Sequence, residues 1–341
     1  MTVVDQPRPG PHRALPATAP RAPASVRRTT SIDITRPEGL TGPLVAVLTG
    51  RDLATDAAGH PSELQRIALS SGIDQRTGAM TTMEAGTPGR ADRGADSLDG
   101  LLGSSVRSGF GRRLAALLAG EADRRTLRCS LLEDLPGALL VSGFAPLRAG
   151  LLAGDVELAK KSGRAQADIC AGWATGSPVH VALAEHGHTA VPAGPTAPVL
   201  EQLDPRGWHA LDPLEVDTVR RRRLLEVTRV PGGGLQARAH FRDSHAGDDR
   251  EMVMHEYAVA ATFDEDGRVG SIDVDPRVLP WAECPAATAS AARVVGIGLD
   301  DLARHARTEL VGPSTCTHLT STIRSLVDVR ALATSLPPAR D

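Results

Sequence analysis

Residues 224–242 read Leu-Leu-Glu-Val-Thr-Arg-Val-Pro-Gly-Gly-Gly-Leu-Gln-Ala-Arg-Ala-His-Phe-Arg. Leu224–Val230 carries a strand pattern, Val230-Pro-Gly-Gly-Gly234 is a turn, and Leu235–Arg242 returns, so the stretch predicts a β-hairpin. Going outward, Met252–Phe263 alternates as a third strand. Asp264-Glu-Asp-Gly267 is a tight turn of the Asp-Gly kind, and Arg268–Val274 is a fourth strand. Then the period lengthens. Pro285–Val295 reads as an Ala-rich helix and Leu299–Leu310 as a second. Thr317–Leu332 reads as a third, with Leu319, Ile323, Leu326 and Val327 on one face. Strands followed by helices predict an α+β fold with antiparallel sheets and the C-terminal helices packed on one face, not alternating βαβ units.

Towards the N-terminus the signals thin out. Residues 1–27 hold six prolines and no core-forming run, which predicts a flexible leader. Ser31–Thr35 and Pro43–Thr49 read as strands, and Gly111–Ala119 as a helix. Gly137–Gly143, after Asp134-Leu-Pro-Gly, reads as a short buried strand. Residues 76–100 are rich in Gly, Ala, Asp and Thr and predict a long mobile loop. Between Ala145 and Pro213 the many Gly and Pro residues place no element. The resulting divisions are a leader (1–27), an N-terminal α+β region (28–213) and a C-terminal α+β domain (214–335).

A faint internal repeat runs through the chain. Arg28-Thr-Thr-Ser-Ile-Asp-Ile-Thr-Arg36 resembles Arg221-Arg-Arg-Leu-Leu-Glu-Val-Thr-Arg229. Each is followed by Gly-Leu, a strand and an Arg-Asp pair, Arg51-Asp52 and Arg242-Asp243. This pattern predicts two related β units, paired across a pseudo-twofold axis.

The chain has 341 residues, 2% aromatics and a formal net charge of −3. So few rings argue against a single-strand nucleic-acid platform, and the charge balance supplies no basic field for nucleic acid or membrane. No run of 18 uncharged apolar residues occurs and Met1–Arg27 has no signal-peptide core, so the expectation is a soluble, cytoplasmic protein. Cys129, Cys170, Cys284 and Cys316 are too sparse for a disulfide framework.

The densest chemistry lies in Pro280-Trp-Ala-Glu-Cys284-Pro285 and Gly312-Pro-Ser-Thr-Cys316-Thr-His318. Both cysteines fall at expected helix starts, where the dipole and free N–H groups favour a thiolate. With His255 on the third strand, the set His255, Cys284, Cys316 and His318 makes a sensible zinc or iron site. The spacing matches no compact zinc motif, and a free cysteine is also a good buried hydrophobe. Glu283 is the candidate general base if water occupies an open metal position. Two other readings stay open. Cys316 could serve as a thiol nucleophile activated by His318 or His255. Alternatively, the cysteines only pack, in a non-catalytic interaction protein. A small molecule is a conceivable partner under the first two.

The run His255-Glu-Tyr, Leu279-Pro-Trp-Ala-Glu-Cys284, Val295-Gly296 and Cys316-Thr-His-Leu319 resembles an uncharacterised bacterial family, domain of unknown function 2889. Arg28–Asp33, Gly50–Leu53, Leu139–Gly143 and Asp168-Ile-Cys-Ala-Gly-Trp173 look like its longer, actinobacterial form. The resemblance implies no established activity. More distantly, the order strand, Asp266-Gly267 turn, strand, Cys284, Gly296-Ile-Gly-Leu-Asp-Asp301, Gly312, Cys316 is similar to the NifU-type iron–sulfur scaffold. That likeness implies metal binding through Cys284 and Cys316. The scaffold's third cysteine is absent here, with His255 the nearest candidate.

The remaining features are weaker. Arg220–Arg223 could grip a phosphate or carboxylate, but a solvated strand face is the expectation. Asp243, His245, Asp248 and Asp249 form a polar loop near His255 that could supply hard oxygen ligands, but an exposed hairpin loop has the same composition, and His186, His188 and His209 read as solvent-facing loop histidines. Gly232–Gly234 is not a phosphate loop, since a strand follows it, and no Gly-x-Ser-x-Gly elbow occurs.

Overall fold

A computed structural model describes residues 6–87, 90–91, 98–151, 155–188 and 190–337. The strands are β1 (Ser25–Thr35), β2 (Leu44–Thr55), β3 (Pro61–Ile73), β4 (Glu84–Thr87), β5 (Arg90–Ala91), β6 (Val219–Arg229), β7 (Leu235–Ala246), β8 (Glu251–Phe263) and β9 (Val269–Val278). They form one antiparallel sheet in the order β5-β4-β3-β2-β1-β6-β7-β8-β9. Six helices connect β5 to β6: α1 (Phe110–Leu117), α2 (Ala119–Arg124), α3 (Leu127–Val141), α4 (Phe144–Arg148), α5 (Val156–Ala165) and α6 (Pro178–Ala184). After β9 come a 3-10 helix (Cys284–Val294), α7 (Leu299–Glu309), α8 (Thr317–Ser325) and α9 (Asp328–Ala333). Among the described residues, no helix is long and apolar enough to cross a membrane.

The β6–β7 hairpin turns where the glycines dictate. Gly232 and Gly233 both hold φ above +90°, a region that side chains with a Cβ avoid. Gly267 closes the β8–β9 turn with φ +76°. The expected helix at Pro285–Val295 is a 3-10 helix, and the expected Thr317–Leu332 helix is divided into α8 and α9.

The two β units share one sheet. In the β1–β6 register, Arg28 faces Leu225 and Ile32 faces Arg221. Across β1–β2 Arg51 faces Thr29, and across β6–β7 Arg242 faces Arg222, which are corresponding positions of the repeat, so both units pair in the same register. The expected boundary at 213/214 falls in the connection into β6, and the sheet runs across it.

Helices cover one face of the sheet. Against β1–β3, α1 and α3 enclose an apolar core that includes Ile32, Leu48, Leu69, Leu131 and Leu135. Against β7–β9, the C-terminal helices enclose a second, with Phe241, Tyr257, Leu302, Leu319 and Ile323. Burial of apolar surface is the main stabilising term on each side.

Several expectations are corrected. Gly137–Gly143 is not a strand but mostly the last turns of α3, with Pro136 inside the helix. α3 buries eight residues spread around its circumference, so its sequence lacks the one-sided stripe that marks a helix. Residues 6–24 are not free: the Leu279 amide donates to the Pro11 carbonyl at 3.0 Å and the Thr18 amide to the Leu200 carbonyl at 3.0 Å. The expected loop at 76–100 contains β4, β5 and a 3-10 turn (Asp99–Leu101), while its residues 88–89 and 92–97 lie outside the described residues, as do leader residues 1–5.

The run Arg220–Arg223 is not solvated either. Arg220, Arg221 and Arg222 are 6%, 2% and 7% exposed. Alternation sends Arg221 and Arg223 to the helical face, where both bond Asp134 of α3. Arg220 and Arg222 turn to the other face and meet Asp33 and Glu201.

Candidate metal centre

Asp243 stands on β7 and is fully buried. Arg221, opposite it on β6, donates Nε to Oδ1 at 2.8 Å and Nη2 to Oδ2 at 2.9 Å. This two-pronged pairing fixes the carboxylate plane. Across the next ladder, β8 sets His255 in register with Asp243, its Nδ1 4.0 Å from Oδ2. His318 comes from the first turn of α8, its Nε2 3.6 Å from the same oxygen. The two imidazoles are stacked, centroids 3.7 Å apart and planes at 19°.

Among the described residues, Asp243, His255 and His318 present donor atoms that all lie within 4.8 Å of one another. His255 Nδ1 is buried and has no hydrogen-bond partner there. Both rings are held neutral. Burial pushes His255 down to about 4, and burial together with His255 and Arg221 pushes His318 well below its ordinary value. Neutral imidazole is the form that ligates a metal.

The two cysteines foreseen as ligands stand beside this trio, not in it. Cys316 caps α8, its Sγ 3.8 Å from His318 Nδ1, the ring nitrogen facing away from Asp243. Cys284 opens the 3-10 helix after β9 and packs on Gly172, where a Cβ would come within 2.9 Å of its Sγ. Burial pushes both thiols up, and Cys170 up to about 11, against the thiolate that a nucleophile needs. Glu283 adjoins Cys284 in sequence but does not line the cavity described next.

The trio sits beside a cavity of about 520 Å³ to which His255, His318, Cys170, Cys284 and Cys316 contribute. Its walls are apolar, with Leu140 and Phe144 from α3 and α4, Val179 and Leu183 from α6, and Trp173 and Trp281 from the loops. The end of α3, α4, α5, α6 and the segment around residues 169–173 thus roof the second unit's site. The Ala171 amide donates to the Thr315 carbonyl at 2.8 Å and fixes that roof beside Cys316.

Sequence reasoning weighed Asp243 only as an oxygen ligand of a polar loop near His255 and left it out of the ligand set. β7 in fact continues to Ala246, with His245 buried as well. The signal was present in the repeat, where Asp243 corresponds to Asp52. Asp52 is held by Arg28 at 2.8 Å in the same two-pronged way. The position facing Asp52 on β3 is Gln65, where Asp243 faces His255.

No curated protein and no solved structure matches the chain. Residues 219–332, the stretch that carries the second β unit, Asp243, His255, Cys284, Cys316 and His318, match a protein family of unknown function, DUF2889.

Proposed function

We propose that this chain binds one divalent transition-metal ion, zinc or iron, through His255 Nδ1, His318 Nε2 and the Asp243 carboxylate. The observation that carries the reading is the convergence of these three donors from β7, β8 and α8, with His255 Nδ1 buried and unpartnered. Two histidines and one carboxylate suit zinc and iron(II) alike, and three protein ligands leave positions open. Arg221 does not disqualify Asp243, because each carboxylate oxygen keeps a second lone pair. Outer partners of this kind commonly orient a metal-ligating carboxylate.

In this reading Cys316 positions the His318 ring from its far nitrogen and is not itself a ligand. The apolar cavity takes a small organic molecule and keeps water from its reacting end. The bound ion would supply Lewis-acid chemistry, or redox chemistry if it is iron. The NifU-type likeness supports metal binding only in residue order. Two imidazoles and a carboxylate favour a mononuclear ion over a cluster.

The test is elemental analysis of protein purified without an affinity tag. About one equivalent of zinc or iron per chain is expected, and its loss in both His255→Ala and His318→Ala. Wild-type protein that stays metal-free after exposure to both ions would overturn the reading, as would variants that retain the metal.

A further inference from the structure

The face of the sheet away from the helices carries a second groove, of about 530 Å³. Segment 197–211 and strands from both units line it. Arg51 of β2 lies in this groove and is 9% exposed. Its Nη2 donates to the carbonyls of Arg206 at 2.5 Å and Trp208 at 2.7 Å. Its Nε is buried without a partner. Among the described residues no carboxylate forms an ion pair with Arg51; Glu63 and Asp204 act on its charge without a direct contact.

Comparing the units shows what is missing. Arg51-Asp52 of the first corresponds to Arg242-Asp243 of the second. Arg242 faces Glu256 across the β7–β8 ladder and donates Nε to its Oε1 at 2.7 Å. Arg51 faces Arg66 across the β2–β3 ladder, and Arg66 is itself paired with Glu63 at 2.6 Å near the surface. A cation has replaced the carboxylate that neutralises the arginine in the other unit.

A second cation turns toward the same space. The Arg222 side chain is 8% exposed, lines the groove and stacks 4.0 Å over the Trp208 ring. It pairs with Glu201, yet its Nε is buried and unpartnered. His209, between Thr29 and Ser31 at 2.9 Å from each, senses this field. Burial first, then Arg222 and Arg51, push its pKa down to about 3.

We infer that this groove binds a small molecule through a compact oxyanion group, a carboxylate or a phosphate, seated on Arg51, Arg66 and Arg222 where the second unit has Glu256. Arginine forks match both groups, and the oxyanion would neutralise the charge that Arg51 lacks a partner for. Glu201 and Glu251 at the groove wall restrict the seat to the Arg51 side. The inference is independent of the metal centre, which lies on the opposite face.

The probes are inorganic phosphate and succinate, titrated calorimetrically against sodium chloride at equal ionic strength. Saturable binding of either probe is expected, and which one binds tighter identifies the group. Arg66 is half-exposed, so Arg66→Glu should fold while rebuilding the carboxylate of the second unit. That variant should bind both probes at least ~10-fold more weakly, and melt at least ~2 °C higher than wild type in chloride. Arg66→Ala should weaken binding without the gain in melting temperature. No binding of either probe to wild type beyond the chloride response overturns the inference. Undiminished binding to Arg66→Glu also overturns it.

Discussion

Asp328 and Arg28 meet across 300 residues of chain, Arg28 Nη1 donating to Oδ2 at 3.0 Å. Both are buried, and Arg125 and Ser130 also bond the same carboxylate. Asp134 makes the converse crossing from α3 to Arg221 and Arg223. Each unit thus lends a helix aspartate to an arginine of the other, through a buried polar seam between the two apolar cores.

That seam makes Asp328→Ala costly, because Arg28 and Arg125 each lose a buried partner, although Arg28 keeps Asp52 and Arg125 keeps Glu133. Removing one partner of a buried pair costs about 3–5 kcal/mol when the other charge is left uncompensated, so the second carboxylate on each arginine sets the expected loss below that range. Urea denaturation should show the loss. The transition should stay single and move as a whole, since the two units share the sheet and the seam. Two separated transitions, with only the second unit shifted, would contradict the interlock.

The repeat, the β6–β7 and β8–β9 hairpins and α7 were legible because their signals are local: an alternating run, a glycine turn, an apolar period. The Arg220–Arg223 run was misread because its partners are remote. Asp33 lies 187 residues from Arg220, and Asp134 lies 89 from Arg223. Nothing in a window of sequence shows that such charges will be matched. His255 and His318 were legible as candidates by residue type and by position near expected element starts. Asp243 was legible only as one oxygen donor among several in a polar loop, because a carboxylate beside Ser-His-Ala-Gly-Asp-Asp looks like a loop until the strand register is known.

Acid should destabilise the protein in two stages. His209 has a folded pKa of about 3, below the unfolded ~6.5, so the unfolded chain binds the extra proton first. Its contribution is complete above about pH 6.5 and is lost as pH falls toward its folded value. Burial alone would raise Asp134 and Asp328, but Arg223 and Arg221, and Arg28 and Arg125, outweigh it and hold both carboxyls low. Their contribution is complete above an unfolded value of ~3.9 and is lost below it. Urea midpoints should therefore slope gently below pH 6.5 and steeply below about 4. His209→Gln should flatten only part of the upper stage, because His240, His245, His255 and His318 are also held below their ordinary value and share it; an unchanged upper slope would contradict the contribution of His209.

Gly137→Ala separates helix propensity from packing. In a helix interior, alanine is favoured over glycine by about 0.8–1.0 kcal/mol. A Cβ at Gly137, however, would collide with Nη1 of Arg221, the guanidinium that holds both Asp134 and Asp243. The variant should lose stability in urea and bind metal more weakly. A gain near the propensity value would mean that Arg221 moves aside at little cost.

The cysteines decide between two ligand sets. If Cys284 and Cys316 were ligands, alanine at either position would release the ion. In the geometry here, Cys284 packs on Gly172, while Cys316 meets the far nitrogen of His318 and the Tyr257 hydroxyl. Cys284→Ala should therefore keep its metal. Cys316→Ala should weaken binding by about 10–100-fold, the usual effect of losing a group that orients a ligand. Asp243→Asn keeps the shape but removes the charged donor, and should lose the ion outright. Competition with a chromogenic chelator measures all three on one scale. Full metal loss in Cys284→Ala, with retention in Asp243→Asn, would move the ion from the imidazole–carboxylate trio to the thiols.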